Sequence, residues 1–89
     1  MVTILTDTRG HEHIIDGNNY LINSRITMVG YTCIKVYDII GKNWIGDYFT
    51  IATYFSEESA HLVLNYIKNH SHHLGRVDLR KYLLRDSVE

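Results

Sequence analysis

The chain has no proline, where an average usage of about 5% would put roughly four in a sequence of this length. Cysteine is nearly as scarce. Cys33 stands alone, so no disulfide can form within the chain and a disulfide-stapled scaffold is excluded. Long apolar runs are missing too: no stretch approaches the ~18 residues a membrane-spanning helix requires. The opening Met1-Val2-Thr3-Ile4-Leu5 lacks the basic start of a secretory signal, and Asp7 and Arg9 follow at once. Neither sign of charge dominates. Nine Lys/Arg face ten Asp/Glu, giving a net charge of −1 and a pI near 6.6, which excludes a nucleic-acid binder held by overall charge alone. With 45% hydrophobic residues the composition also excludes a disordered chain. The expectation is a single domain over residues 1–89 in a reducing cytoplasm. Its stability should be modest, because so short a chain buries only about 60–65% of its unfolded surface.

Signatures of catalysis are missing as well. The six glycines are isolated at turn positions rather than gathered into a phosphate-cradling loop, and no Gly-x-Ser-x-Gly elbow occurs. Cys33 lies within a strand pattern without the electropositive setting a reactive thiol needs, so it reads as inert. The six histidines are clustered: His11 and His13 flank Glu12, and His70, His72 and His73 fall within four residues. Neither group has a cysteine partner or a His-Glu-x-x-His spacing. Exposed or helix-terminal histidines are expected, not a metal site. No catalytic residue, no cofactor and no metal follow from the sequence, which points to a non-enzymatic protein.

What is present is patterned hydrophobicity. Residues 2–6 read as a short strand, followed by a polar turn from Asp7 to Gly10. Residues 12–15 return as a strand that ends at Asp16-Gly17-Asn18-Asn19, a run of turn formers. Tyr20-Leu21-Ile22 and Arg25 to Val29 read as two further short strands. Tyr31 to Ile40 and Ile45 to Phe55 form the clearest strands, paired as an antiparallel hairpin about Gly41-Lys42-Asn43. Alternation places Ile34 and Val36 on one face of the first strand, and Tyr31, Cys33, Lys35 and Tyr37 on the other. In the second strand Ile45, Phe49, Ile51 and Phe55 share a face, with Tyr48, Thr50, Ala52 and Tyr54 opposite.

The period then becomes helical. Ser56 is an N-cap residue, Glu57 and Glu58 suit the positive end of the helix dipole, and Ala60, Val63, Leu64 and Ile67 make one apolar stripe running to about residue 70. A shorter second helix is expected from about Asp78 to Arg85, with Leu79, Tyr82 and Leu83 on one face. The fold class is α+β: an antiparallel sheet of three to five strands, one long helix packed on it, and a short C-terminal helix.

The passage Phe49-Thr50-Ile51-Ala52-Thr53-Tyr54-Phe55-Ser56-Glu57-Glu58-Ser59-Ala60, continuing to Val63-Leu64-Asn65-Tyr66-Ile67, resembles small accessory proteins of bacteriophages and Gram-positive bacteria. In those, a strand ending in tyrosine runs into Ser/Thr-Glu-Glu, an alanine and Val-Leu-x-x-Ile on a helix. Tyr20-Leu21-Ile22-Asn23 to Met28 is similar to their opening strands. The resemblance covers roughly residues 20–70 and departs from the pattern in the N-terminal hairpin, the histidine cluster and the C-terminal helix. It implies a phage or mobile-element accessory protein and brings no common activity with it.

Tyrosine supplies seven of the ten aromatics, and its placement carries the functional expectation. With Ile34, Val36, Phe49 and Ile51 inside, Tyr31, Lys35, Tyr37, Tyr48 and Tyr54 come to the opposite face of the sheet. That face is either a second core layer, an interface, or a platform for stacking bases. The favoured function is occupation of a partner protein's surface, including that of a second copy as a homodimer. The alternative is a nucleic-acid-binding module. Residues 1–67 carry four Lys/Arg against seven Asp/Glu, whereas residues 68–89 carry five against three. Arg76, Arg80, Lys81 and Arg85 would then meet phosphates.

Overall fold

A computed structural model describes residues 2–81 and 87–88; side chains at 16, 18, 71–74, 81, 87 and 88 are not described. The elements are β1 (Val2–Thr6), β2 (Glu12–Val29), β3 (Thr32–Asn43), β4 (Tyr48–Tyr54), α1 (Glu57–Leu74), β5 (Arg76–Asp78), a 3₁₀ turn at Leu79–Lys81 and β6 (Ser87–Val88). They form a mixed six-stranded sheet in the order β5-β1-β2-β3-β4-β6 with α1 packed on one face. The class is α+β as expected, but the sheet is larger than three to five strands and not wholly antiparallel, because β5 pairs parallel to β1 through Ile4↔Arg76 and Leu5↔Val77. The expected C-terminal helix is not seen among the described residues. Asp78 instead turns the chain: its carboxylate accepts the Arg80 N–H at 3.0 Å, with Val77 and Leu79 buried on either side. Tyr82, Leu83 and Arg85 lie outside the described residues.

Ser56 caps α1 as its sequence requires, its Oγ accepting the Ser59 N–H at 3.1 Å. Ala60, Val63, Leu64 and Ile67 form the buried stripe, and the helix continues four residues past its expected end. They meet Leu5, Ile15, Ile39, Ile51, Ala52 and Tyr54 of the sheet, with Val77 and Leu79 closing one end. Gly41 sits in the middle of this face, where a side chain would crowd its neighbours. A Cβ there would lie 3.0 Å from Ile51 Cδ1 and 3.2 Å from Phe49 Cζ.

Two register irregularities set the inward residues. Between β2 and β3 the pairing passes from Ile15↔Asn43 to Tyr20↔Gly41, so residues 16–19 stand opposite Lys42 alone, with Gly17 at a φ of 76°. The run read as a turn is therefore a wide bulge inside one 18-residue strand, and the separate strands expected at 12–15, 20–22 and 25–29 are a single β2. Between β3 and β4 the pairing passes from Ile39↔Ala52 to Ile40↔Thr50, leaving Ile51 as an extra residue, so Ile51 and Ala52 are both buried in succession. The chain reverses at Trp44 to Gly46 rather than at Gly41, where the Asn43 carbonyl oxygen Oδ1 accepts the N–H groups of Ile45, Gly46 and Asp47 at 2.9–3.0 Å.

Candidate functional site

β2 and β3 outrun the rest of the sheet. β1 pairs with β2 only as far as Asp16, and β4 pairs with β3 only from Tyr37 onward. Among the described residues, Arg25–Val29 and Thr32–Val36 thus form a two-stranded arm paired only to itself. It closes through Gly30-Tyr31, with Gly30 at φ 63° in the first central position of the turn, where the type II′ geometry matched to strand twist requires a positive φ. At its base Arg25 is tied to the buried Asp38: Nε donates to Oδ2 at 2.7 Å, and the Thr53 hydroxyl donates to Oδ1 at 2.5 Å.

The arm is apolar at its tip. Ile26 is 73% exposed, Met28 61%, and Tyr31 fully; Val29 and Cys33 are exposed as well. Where the helix-side face of the arm meets the first turns of α1 lies an open groove of about 320 Å³, lined by Ile22, Ser24, Lys35, Tyr37, Glu57, His61 and Leu64. Its floor is apolar and its rim is polar. Lys35 Nζ stands 5.9 Å from the centre of the Tyr37 ring, within cation–π range, and His61 Nε2 lies 3.5 Å from Glu57 Oε1. The groove is at the small end of ligand-site volumes and open to solvent.

The face assignment drawn from the sequence is reversed for β3; in β4 Phe49 and Ile51 face the core and Tyr48 faces away as expected, but Ala52 and Tyr54 are turned inward, which divides the tyrosines. Tyr37 pairs with Tyr54 and Ile39 with Ala52 on the helix side, so odd-numbered β3 residues face α1. Tyr54, expected on the outward face, is 1% exposed in the core, and Tyr37 is half-buried against it. Tyr48 lies on the opposite face, exposed, with Lys42 Nζ 5.6 Å from its ring centre, while Tyr31 is at the arm tip. Of the five residues, Lys35, Tyr37 and Tyr54 share the helix-side face, and Lys35 and Tyr37 are the two that line the groove. Of the groove's other members, the sequence marks Glu57 and Leu64 only as helix start and apolar stripe, and it does not mark Ile22, Ser24 and His61 as site residues. The signal for Ile22 and Ser24 is the alternation of Tyr20, Ile22, Ser24, Ile26 and Met28, hidden when β2 is divided into short strands.

Two of the basic C-terminal residues, Arg76 and Arg80, are paired with carboxylates. Arg76 Nη1 lies 3.3 Å from Glu12 Oε2, and Arg80 is bidentate on Asp78 at 3.0 and 2.9 Å, an arrangement that raises its pKa chiefly through that hydrogen bond. The Lys81 backbone lies in the 3₁₀ turn, and Arg85 is outside the described residues. No group of three or more His, Cys, Asp and Glu is placed to hold a metal ion among the described residues. His70 instead leans on its own helix, Nδ1–H donating to the Tyr66 carbonyl at 3.0 Å. His13 is stacked on Phe49 with ring centres 4.1 Å apart and donates from Nε2 to Asp7 Oδ2 at 2.9 Å. Both have structural partners. No helix among the described residues is long and apolar enough to cross a membrane. No protein-family model matches the chain, and no curated protein or solved structure matches it either.

Proposed function

We propose that this protein is a non-enzymatic, cytoplasmic protein-binding module that acts as an inhibitor or regulator by occupying a partner's surface. The observation that carries this reading is the arm with its adjoining groove. Ile26 and Met28 are exposed on the same face of the arm as the groove, with Tyr31 exposed at its tip, and exposed apolar residues gathered beside a groove of mixed lining mark contact sites on small proteins. Lys35 and Tyr37 would form the wall of the groove nearest the partner. A phage or mobile-element origin rests on the resemblance over residues 20–70. The nucleic-acid reading is weakened by the pairing of Arg76 and Arg80 with carboxylates, which leaves phosphates to compete with those contacts. Affinity capture from the lysate of the host cell, with nuclease and without, tests the proposal. A partner protein recovered by the wild type, insensitive to nuclease and lost with Lys35→Glu is expected. Recovery that Lys35→Glu leaves unchanged, or that nuclease abolishes, refutes it.

A further inference from the structure

We infer that the free edge of β2 over Tyr20–Met28 is a strand-addition site whose occupant is the same edge of a second copy of this chain, paired antiparallel about a two-fold axis at Ser24. This deepens the protein-binding reading above by naming one partner and the surface it uses. Three observations lead to it. First, the edge is long and unpaired: beyond Asp16 no described strand pairs with β2 on the side away from β3, so over the ten residues from Tyr20 to Val29 the alternate ones not bonded to β3, Tyr20, Ile22, Ser24, Ile26 and Met28, direct their backbone N–H and C=O groups outward. The sheet's two outermost strands, β5 and β6, are by contrast three and two residues long.

Second, the usual protections against edge pairing are missing. There is no proline and no lysine from Tyr20 to Val29. The one charge, Arg25, is drawn onto Asp38 at 2.7 Å, so it does not guard the edge. Net charge of −1 opposes association of like copies only weakly.

Third, the edge is self-complementary in one register. Antiparallel pairing of a strand with its own copy satisfies two-fold symmetry with a single surface. With the axis at Ser24, Ile22 meets Ile26 of the second copy and Tyr20 meets its Met28 on the helix-side face, while Leu21 meets Thr27 and Asn23 meets Arg25 on the other. Moving the axis one residue to Arg25 sets Ile26 opposite Ser24 instead of Ile22, which gives up the apolar pair at the centre of the strip. Moving it further shortens the paired run. Nine paired residues make a strip roughly 30 Å long. At about 15 Å across both layers of side chains, it covers on the order of 500 Å² per copy, or about 1,000 Å² in total, the lower bound for a specific interface. The exposed Ile26, Met28 and Leu21 supply its apolar part.

Light scattering on the full chain at about 100 μM, above the micromolar dissociation constants an interface of this size supports, should give twice the 10.4 kDa chain mass. Ile26→Lys places a lysine on an exposed edge position and should return the mass to one chain, with a thermal melt that matches the wild type's once both are diluted below the dimer's dissociation constant. In a Cys33→Ser background, Ser24→Cys should form an interchain disulfide under mild oxidation and Met28→Cys should not, because only the axis residue faces its own copy. A wild type of single-chain mass, a dimer that Ile26→Lys leaves intact, or Met28→Cys crosslinking as readily as Ser24→Cys overturns the proposal. A monomer that still captures a partner sensitive to Lys35→Glu overturns the second-copy assignment alone. A dimer with no such partner overturns the reading of the groove alone.

Discussion

Replacing Asp7 tests how one buried carboxylate organises the β1–β2 connection. Asp7 is 1% exposed at the end of β1, and its Oδ1 accepts the backbone N–H groups of Arg9 and His11, both at 2.9 Å. Its Oδ2 accepts the His13 Nε2–H at 2.9 Å, and the His11 ring is 4.0 Å away. Burial alone would raise the carboxyl pKa, but the hydrogen bond from His13 and those from the two amides outweigh it and hold the group below its ordinary 3.8. Asp7→Ala leaves three donors without their acceptor. A hydrogen bond to a charged group contributes about 1.5–3 kcal/mol, and three that share one acceptor are not additive, so a loss of about 3 kcal/mol is expected. A domain of this size has a total stability of roughly 4–13 kcal/mol. With a urea slope of about 1–1.5 kcal/mol/M, the midpoint should fall by about 2–3 M, read by circular dichroism at pH 7.

Asp7→Asn should cost less, because an amide oxygen still serves the two backbone donors while its NH₂ faces His13. The acid limb then supplies a second check. A carboxyl whose folded pKa is depressed contributes stability that is fully present above its unfolded pKa and is lost as pH falls through the folded value. The stability difference between wild type and Asp7→Asn should therefore be constant above about pH 5 and shrink as pH falls below about 3.8. An Asp7→Ala variant within about 0.5 kcal/mol of the parent, or a difference that does not shrink in acid, would refute the reasoning.

Leu64→Ala removes a buried side chain between α1 and the sheet and should cost about 2–5 kcal/mol in denaturant titration. Gly41→Ala forces Ile51 and Phe49 to move by a few tenths of an ångström and should lower the thermal midpoint, corresponding to about 1–3 kcal/mol. Tyr20→Phe should be neutral or stabilising by up to about 1 kcal/mol in the same melt. Its hydroxyl is buried without a hydrogen-bond partner among the described residues, and burial has pushed its pKa up to about 12.

The helix was legible because its signals are local. Ser56, two acidic residues and the stripe Ala60-Val63-Leu64-Ile67 each act within a turn or two of chain, and the structure uses all of them. β1, β3, β4 and pieces of β2 were legible as strands, but the face that β3 turns to α1 was not. Alternation says which residues go together without saying which set faces the helix, and both sets of β3 are amphipathic: Val36 is buried on one side, Ile39 on the other. The extra residue at Ile51 breaks the period that made Phe49 and Ile51 look like the partners of Ile34 and Val36. Parallel pairing of Arg76–Asp78 with Ile4–Thr6 is a contact across some 70 residues of sequence, and Asp78-Leu79-Arg80 carries nothing local that distinguishes a helix start from a single 3₁₀ turn. The groove escaped for the same reason, since Ile22, Lys35 and Leu64 meet only once the strand faces are known.

The bulge at residues 16–19 is the feature from which arm, edge and groove all follow. Before it, odd residues of β2 face the core, as His13 and Ile15 do; after it, even residues do, as Tyr20 and Ile22 do. Had the strand run on without it, Leu21 would have turned inward and Ile22, Ile26 and Met28 would have lain on the side away from α1. The same bulge separates the part of β2 that β1 covers from the part it leaves free. A turn at Asp16-Gly17-Asn18-Asn19 would have produced a compact meander with a short protected edge. The conversion of that turn chemistry into a bulge instead extends β2 to Val29 and gives β3 a partner along its whole length. The first part of β2 thereby joins the core through Ile15; Tyr20 and Ile22 still pack against it beyond the bulge, and Ile26, Met28 and Val29 at the far end are left exposed.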